Sequence, residues 1–339
     1  MRGEAETLER LAGELIIGGF DGPPVPEDFA DLVARGAVGG VILFKRNFAT
    51  PADAARLLAE LQARAPAPLW TAVDQEGGRV QRLGPPFPQL PPMREIGARG
   101  DPASAREAGG LLARHLLPLG FRQDYAPVLD VDTNPRNPVI GDRSFSRDPE
   151  EVGRFGAALI AGLEESGVAA CGKHFPGHGD TSQDSHLELP RLDHDLARLQ
   201  AVELVPFRAA VRAGVASIMT AHVLFPALDA EHPATLSEKI LSPLLRDALG
   251  YRGVVVSDDL EMKAVADHYG VEDAAVRAIR VGCDQLLICS KPSLQAAAHA
   301  ALVRAVERGQ LDRARLTEAA TRVRAMKARF PLAAAPIVA

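Results

Sequence analysis

Residues 253–259 read GVVVSDD: three consecutive valines, a serine and two aspartates. A β-branched run without polar alternation fits a strand buried on both faces, as in a parallel sheet covered by helices. The aspartates mark the end of that strand, and the pattern recurs along the chain. Apolar runs occupy ELIIGGF (14–20), GGVILF (39–44), LWTAVD (69–74), FRQDYAPV (121–128), VAACGKHF (168–175), SIMTAHV (217–223) and DQLLICS (284–290). Helix-like stretches separate them. One is ATPADAARLLAELQARA (49–65), with Pro51 placed for a first turn. Another is DPEEVGRFGAALIAGLEESG (148–167), which opens on acids and stops at Gly167. Eight strands alternating with helices imply an α/β chain folded as a single (β/α)8 TIM-like barrel over residues 1–339. An open doubly wound sheet is the rival, but GGFDG after the first strand lacks its G-x-G-x-x-G spacing.

Composition sets outer bounds. The 339 residues are 47% hydrophobic and 24% charged, enough to bury a sizeable core, and the net charge of -6 offers no basic footprint for nucleic acid. Arginines alternate with acids on helical faces, as in RARLTEAATRVRAMKAR. Cys171, Cys283 and Cys289 are an odd number in apolar surroundings and read as reduced, buried thiols. The N-terminal stretch is broken by Glu6, Glu9, Arg10 and Glu14, so neither a signal peptide nor a membrane span is expected. A cytoplasmic protein with no membrane or nucleic-acid partner is the expectation. The sequence leaves the oligomeric state open, with a monomer as the simplest expectation.

In a barrel, chemistry gathers on the loops at the C-terminal ends of the strands. Asp74 closes LWTAVD, Lys173 and His174 lie near the end of VAACGKHF, His222 near the end of SIMTAHV, and Asp258 follows GVVVS. Arg82 and Arg143 lie in segments after the third and fourth strands. Each also has a plain structural reading. An acid after a strand can cap the next helix, an isolated histidine can be a hydrogen-bonded core residue, and an arginine can be a surface ion pair.

The densest polar stretch is KHFPGHGDTSQDSH (173–186). His174, His178 and His186 with Asp180 or Asp184 could ligate a metal, but the spacing matches no H-E-x-x-H or paired-cysteine site, so no metal and no cofactor is expected. Proton transfer fits better. Asp184 and His186 are two apart and would face the same way in an extended segment, where a carboxylate orients the imidazole and raises its pKa. Asp258, at the end of a valine strand, is the candidate nucleophile.

DQEGGRVQR (74–82), IGDRSF (140–145), KHFPGHGDTSQDSH, MTAHVLFPALD (219–229), PATLS (233–237) and SDDLEM (257–262) occur in order along the chain. Together they resemble glycoside hydrolase family 3, in particular its bacterial β-N-acetylglucosaminidases of the NagZ type. The resemblance implies a retaining exo-β-N-acetylglucosaminidase. Asp258 would form a covalent glycosyl-enzyme, His186 would be the acid/base, and Asp184 its partner. Asp74, Arg82, Arg143, Lys173 and His174 would hold the terminal N-acetylglucosamine. A histidine then replaces one of the two carboxyl groups usual in retaining glycosidases, which avoids like-charge repulsion beside Asp258.

The resemblance further implies removal of N-acetylglucosamine from cell-wall fragments during peptidoglycan recycling, and no C-terminal sandwich domain. A mobile Gly-rich loop that closes over substrate is expected. Glycoside phosphorylase, β-glucosidase and a non-catalytic sugar-binding barrel are the alternatives. Glu261, in SDDLEM, leaves the aglycone side of the pocket open.

Overall fold

The computed structural model describes residues 7–185 and 188–331. Among these, eight parallel strands close into a barrel: β1 Ile16–Gly18, β2 Gly40–Leu43, β3 Trp70–Val73, β4 Gln123–Asp124, β5 Ala169–Phe175, β6 Ser217–Thr220, β7 Val254–Asp259 and β8 Gln285–Ile288. Each strand pairs with its neighbour in sequence, and β8 pairs with β1, where Ile17 lies opposite Leu287. The barrel expected from the alternating pattern is therefore present. The valines of GVVVSDD are fully buried, as their unbroken apolar run requires.

Several strands are shorter than their apolar runs. FRQDYAPV is regular strand only over Gln123–Asp124, and beyond Pro127, which has no N–H to donate, a single bridge joins Val128 to Lys173. SIMTAHV leaves the ladder after Thr220, and ELIIGGF pairs over Ile16–Gly18 alone. Backbone bonds still tie residues beyond these limits to the neighbouring strands: the Tyr125 N–H donates to the Val73 carbonyl oxygen at 2.9 Å, and the Ala221 N–H to that of Phe175 at 2.7 Å.

Helices cover the outside of the barrel. Pro51–Arg64 begins where expected: Pro51 takes the first turn, and Thr50 and Asp53 cap each other's backbone N–H groups. Pro149–Glu165 is capped by Asp148, which accepts from the N–H groups of Glu150 and Glu151. It packs closely on Ala103–Leu116, where a side chain at Gly162 would place its Cβ 2.1 Å from the Arg106 carbonyl oxygen. Pro292–Glu307 follows β8, and Arg313–Arg329 crosses the end of the chain. Among the described residues no helix is long and apolar enough to cross a membrane. Cys171, Cys283 and Cys289 are buried.

Candidate active site

A cavity of about 280 Å³ opens at the C-terminal ends of the strands. Seven of the eight sequence-derived site residues line it: Asp74, Arg82, Arg143, Lys173, His174, Asp184 and Asp258. The eighth, His186, lies outside the described residues. Residues from four different strand ends and their following loops therefore meet at one point, as barrel geometry allows.

The floor is an ion cluster. Lys173, near the end of β5, reaches Asp74 Oδ1 at 2.7 Å and Glu76 Oε1 at 2.6 Å. Arg143 grips Glu76 with two parallel hydrogen bonds of 2.7 and 2.8 Å. The side chains of Lys173, Glu76 and Arg143 are 3%, 3% and 10% exposed, so these charges depend on one another rather than on water. Burial alone would raise the Glu76 pKa, yet Arg143 and Lys173 hold it well below the usual carboxylate range. Burial likewise opposes the charge on Lys173, and Asp74 with Glu76 restores it, raising its pKa. Such a cluster presents fixed, ionised groups to the cavity, where they can form charge-assisted hydrogen bonds, stronger than neutral ones, to a polar ligand.

Glu76 was not among the sequence-derived candidates, although it binds two residues that were. It sits in a small antiparallel hairpin, Gln75–Gly77 with Val80–Gln81, directly after β3. Gln75 stabilises that hairpin by accepting from the backbone N–H groups of Arg82 and Leu83 at 2.7 and 3.0 Å. The hairpin aims Arg82 at Asp74, with Nη2 to Oδ2 at 3.5 Å, and the guanidinium lies 5.5 Å from the centre of the Phe44 ring. Phe44, Met219, Met262, Val80 and Val139 supply apolar walls.

Asp130 is the second residue absent from the candidate set. It is fully buried after the β4 segment, and its Oδ2 accepts from both the backbone N–H and Nδ1 of His174, at 3.2 and 2.8 Å. Its Oδ1 accepts from the His178 backbone N–H at 2.6 Å. Burial pushes the Asp130 pKa up, but His174 and His178 outweigh it and lower it. Only the acid itself, inside the apolar run VLDVD, hinted at this role.

The turn FPGHG carries His178 into the cavity wall. It needs glycine at 179, because a Cβ there would fall 1.8 Å from the Val131 carbonyl oxygen. His178 is buried, its Nδ1 bonds Thr181 Oγ1 at 2.8 Å, and its Nε2 bonds Ser185 Oγ at 3.0 Å. Burial, followed by the neighbouring His174, pushes its pKa down to about 4.

Asp258 closes the opposite part of the site from β7, and its Oδ1 accepts from the Asp259 backbone N–H at 2.8 Å. Asp259 turns inward to accept from the N–H groups of Glu261 and Cys289. Burial pushes its pKa up to about 7; those two N–H groups oppose the rise, and the charges of Glu261 and Asp258 add to it. His222 stands behind this strand end, buried between Thr235 Oγ1 at 2.8 Å and the Asp259 carbonyl oxygen at 3.0 Å. Glu261 has a structural job: its Oε1 accepts from the N–H groups of Ser290 and Lys291, just before helix Pro292–Glu307. Among the described residues no group of three or more His, Cys, Asp or Glu side chains is placed to hold a metal ion.

Residues 7–326 match the model of the glycosyl hydrolase family 3 N terminal domain. The chain belongs to glycosyl hydrolase family 3. A β-hexosaminidase of Thiobacillus denitrificans is 45% identical over 263 residues, which span 76% of this chain and 73% of that protein. Among solved structures, a family 3 β-N-acetylglucosaminidase from Paenibacillus superposes with a TM-score of 0.96 at 44% identity. That match covers 99% of this chain, but the chain spans only 65% of the Paenibacillus protein. A β-N-acetylhexosaminidase from Beutenbergia cavernae gives a TM-score of 0.89 at 32% identity, over 96% of this chain and 99% of that one. The family 3 fold inferred from the six motifs therefore holds across the barrel.

Proposed function

We propose that this family 3 barrel is a retaining exo-β-N-acetylglucosaminidase that removes a terminal, non-reducing N-acetylglucosamine from its substrate. The observation that carries the reading is one cavity lined by Asp258, Asp184 and the ion cluster of Asp74, Arg82, Arg143 and Lys173. In the proposed reaction the cluster and His174 hold the sugar hydroxyls, placing the anomeric carbon before Asp258. Asp258 attacks that carbon while His186, oriented by Asp184, donates a proton to the departing oxygen. His186 then takes a proton from water, which attacks the glycosyl-aspartate and frees the sugar with its β-configuration retained. The similar β-N-acetylglucosaminidase from Paenibacillus supports the choice of N-acetylglucosamine.

Peptidoglycan fragments as substrates, a cytoplasmic location and a loop after β5 that closes over substrate belong to the same proposal. The test measures p-nitrophenol release from the β-N-acetylglucosaminide and the β-glucoside, with and without phosphate, for wild type and Asp258→Ala. N-acetylglucosaminide hydrolysis that is indifferent to phosphate and lost in Asp258→Ala is expected. No turnover of any substrate overturns the enzyme reading, undiminished turnover by Asp258→Ala overturns the nucleophile, and a sugar phosphate as main product makes the protein a phosphorylase.

A further inference from the structure

His178 and Ser185 have no part in the reaction proposed above, yet both are buried in the wall of its cavity. Thr181 Oγ1 donates to the His178 carbonyl oxygen at 3.1 Å, which leaves it to accept from His178 Nδ1. These partners assign a neutral imidazole with its proton on Nδ1 and Nε2 as acceptor, so the Ser185 hydroxyl donates to Nε2 at 3.0 Å. Ser185 is held from a second side, because its carbonyl oxygen accepts from the Ala264 N–H at 3.4 Å. Ala264 lies in helix Lys263–Tyr269, the first element after the Asp258 strand. Asp130 completes the chain: it fixes the His178 backbone with one oxygen and the His174 ring with the other.

Ser185 is thus a bridge between the turn after β5 and the helix after β7. It is also flanked in sequence by Asp184 and His186. Consecutive Cα atoms are about 3.8 Å apart, so fixing Ser185 limits where Asp184 can lie. We propose that His178 and Ser185 are a positioning pair that holds Asp184, the residue given above as the partner of the acid/base, in the cavity wall. The inference rests on the acid/base role given to His186 above. Misplacement of a reacting group by about 1 Å can cost on the order of 100-fold in rate, so a single hydrogen bond at this point is enough to matter.

A group that positions the acid's partner affects only reactions that need the acid. Phenyl β-N-acetylglucosaminide has a poor leaving group that requires protonation, whereas the 2,4-dinitrophenyl glycoside departs without it. kcat/KM reports the step that forms the glycosyl-enzyme in both cases. Ser185→Ala is expected to lower kcat/KM about 10-fold or more for the phenyl glycoside and to leave the dinitrophenyl value within about 3-fold of wild type. His178→Ala should behave alike, and the double variant should be no worse than the poorer single one. His178→Gln, which keeps an acceptor for the Ser185 hydroxyl, should recover part of the loss. Equal losses on both substrates, additive losses in the double variant, or wild-type rates in Ser185→Ala overturn the pair. If His178→Ala does not fold, Ser185→Ala and His178→Gln carry the same comparison. His186→Ala on the same two substrates tests the underlying reading separately, since undiminished phenyl glycoside turnover there removes the acid itself.

Discussion

At the floor of the cavity, the buried ions Glu76 and Lys173 and the part-buried Arg143 and Asp74 neutralise one another. In the loop after β5, His178, Thr181 and Ser185 are neutral groups joined by uncharged hydrogen bonds. The first arrangement hangs from strand ends and a hairpin and couples site geometry to folding stability. The second hangs from a Gly-rich turn and can lose a contact without leaving a charge stranded. The contrast suits the tasks proposed for them. A grip on sugar hydroxyls gains from rigid charges, while a proton-transfer segment needs placement it can afford to release.

Breaking one ion should therefore disturb both function and fold. Glu76→Ala leaves Lys173 and Arg143 without a shared counter-ion, and removing one partner of a buried pair costs about 3–5 kcal/mol. We expect that loss in urea unfolding, together with a fall in kcat/KM of about 100-fold or more. Asp184→Asn should separate the two effects. It is expected to lower kcat/KM for the phenyl glycoside about 100-fold, as for loss of general acid catalysis, with the unfolding midpoint unchanged. Equal destabilisation by both variants would erase the contrast between the regions.

The third prediction concerns acid. An unfolded chain protonates His178 near 6.5, whereas the native protein resists until about 4. Below 6.5 the unfolded state thus binds more protons, and stability falls as pH drops from 6.5 toward 4. The His178 share of this fall is about 3 kcal/mol. Burial raises Asp259 and Glu164 to about 7, so these acids act with the opposite sign, costing stability as pH rises toward 7. The difference between His178→Gln and wild type isolates the histidine: the variant should lose less stability on acidification, as followed by urea unfolding at pH 7, 5.5 and 4. Parallel curves would contradict a buried neutral imidazole. The smallest effect is expected for Glu261→Ala, which removes an acceptor near a helix start. It should cost about 1 kcal/mol of stability and leave kcat within about 2-fold.

Much of this site could be read from the chain because a parallel barrel brings its strand ends together. Asp74, Lys173, His174 and Asp258 each close an apolar run, so their sequence position already implied a shared mouth. Glu76 and Asp130 were missed because their importance lies in partners 67 and 44 positions away, contacts that no local pattern encodes. Glu261 is the converse case, since an acid three residues after Asp258 in sequence is turned to the Ser290 and Lys291 backbone. Strand ends were the least legible part of the fold. In FRQDYAPV the regular strand ends at Asp124 although single backbone bonds to β5 continue past Pro127, which itself has no N–H to donate.

The central claim is a covalent intermediate on Asp258, and it can be weighed directly. The protein would be mixed with a 5-fluoro analogue of an activated β-N-acetylglucosaminide, which slows breakdown of a glycosyl-enzyme, then quenched in acid, digested and examined by mass spectrometry. The account predicts one added fluoro-sugar on the peptide containing Asp258, absent from Asp258→Ala. A turned-over substrate with no adduct, or an adduct on any other residue, would contradict it.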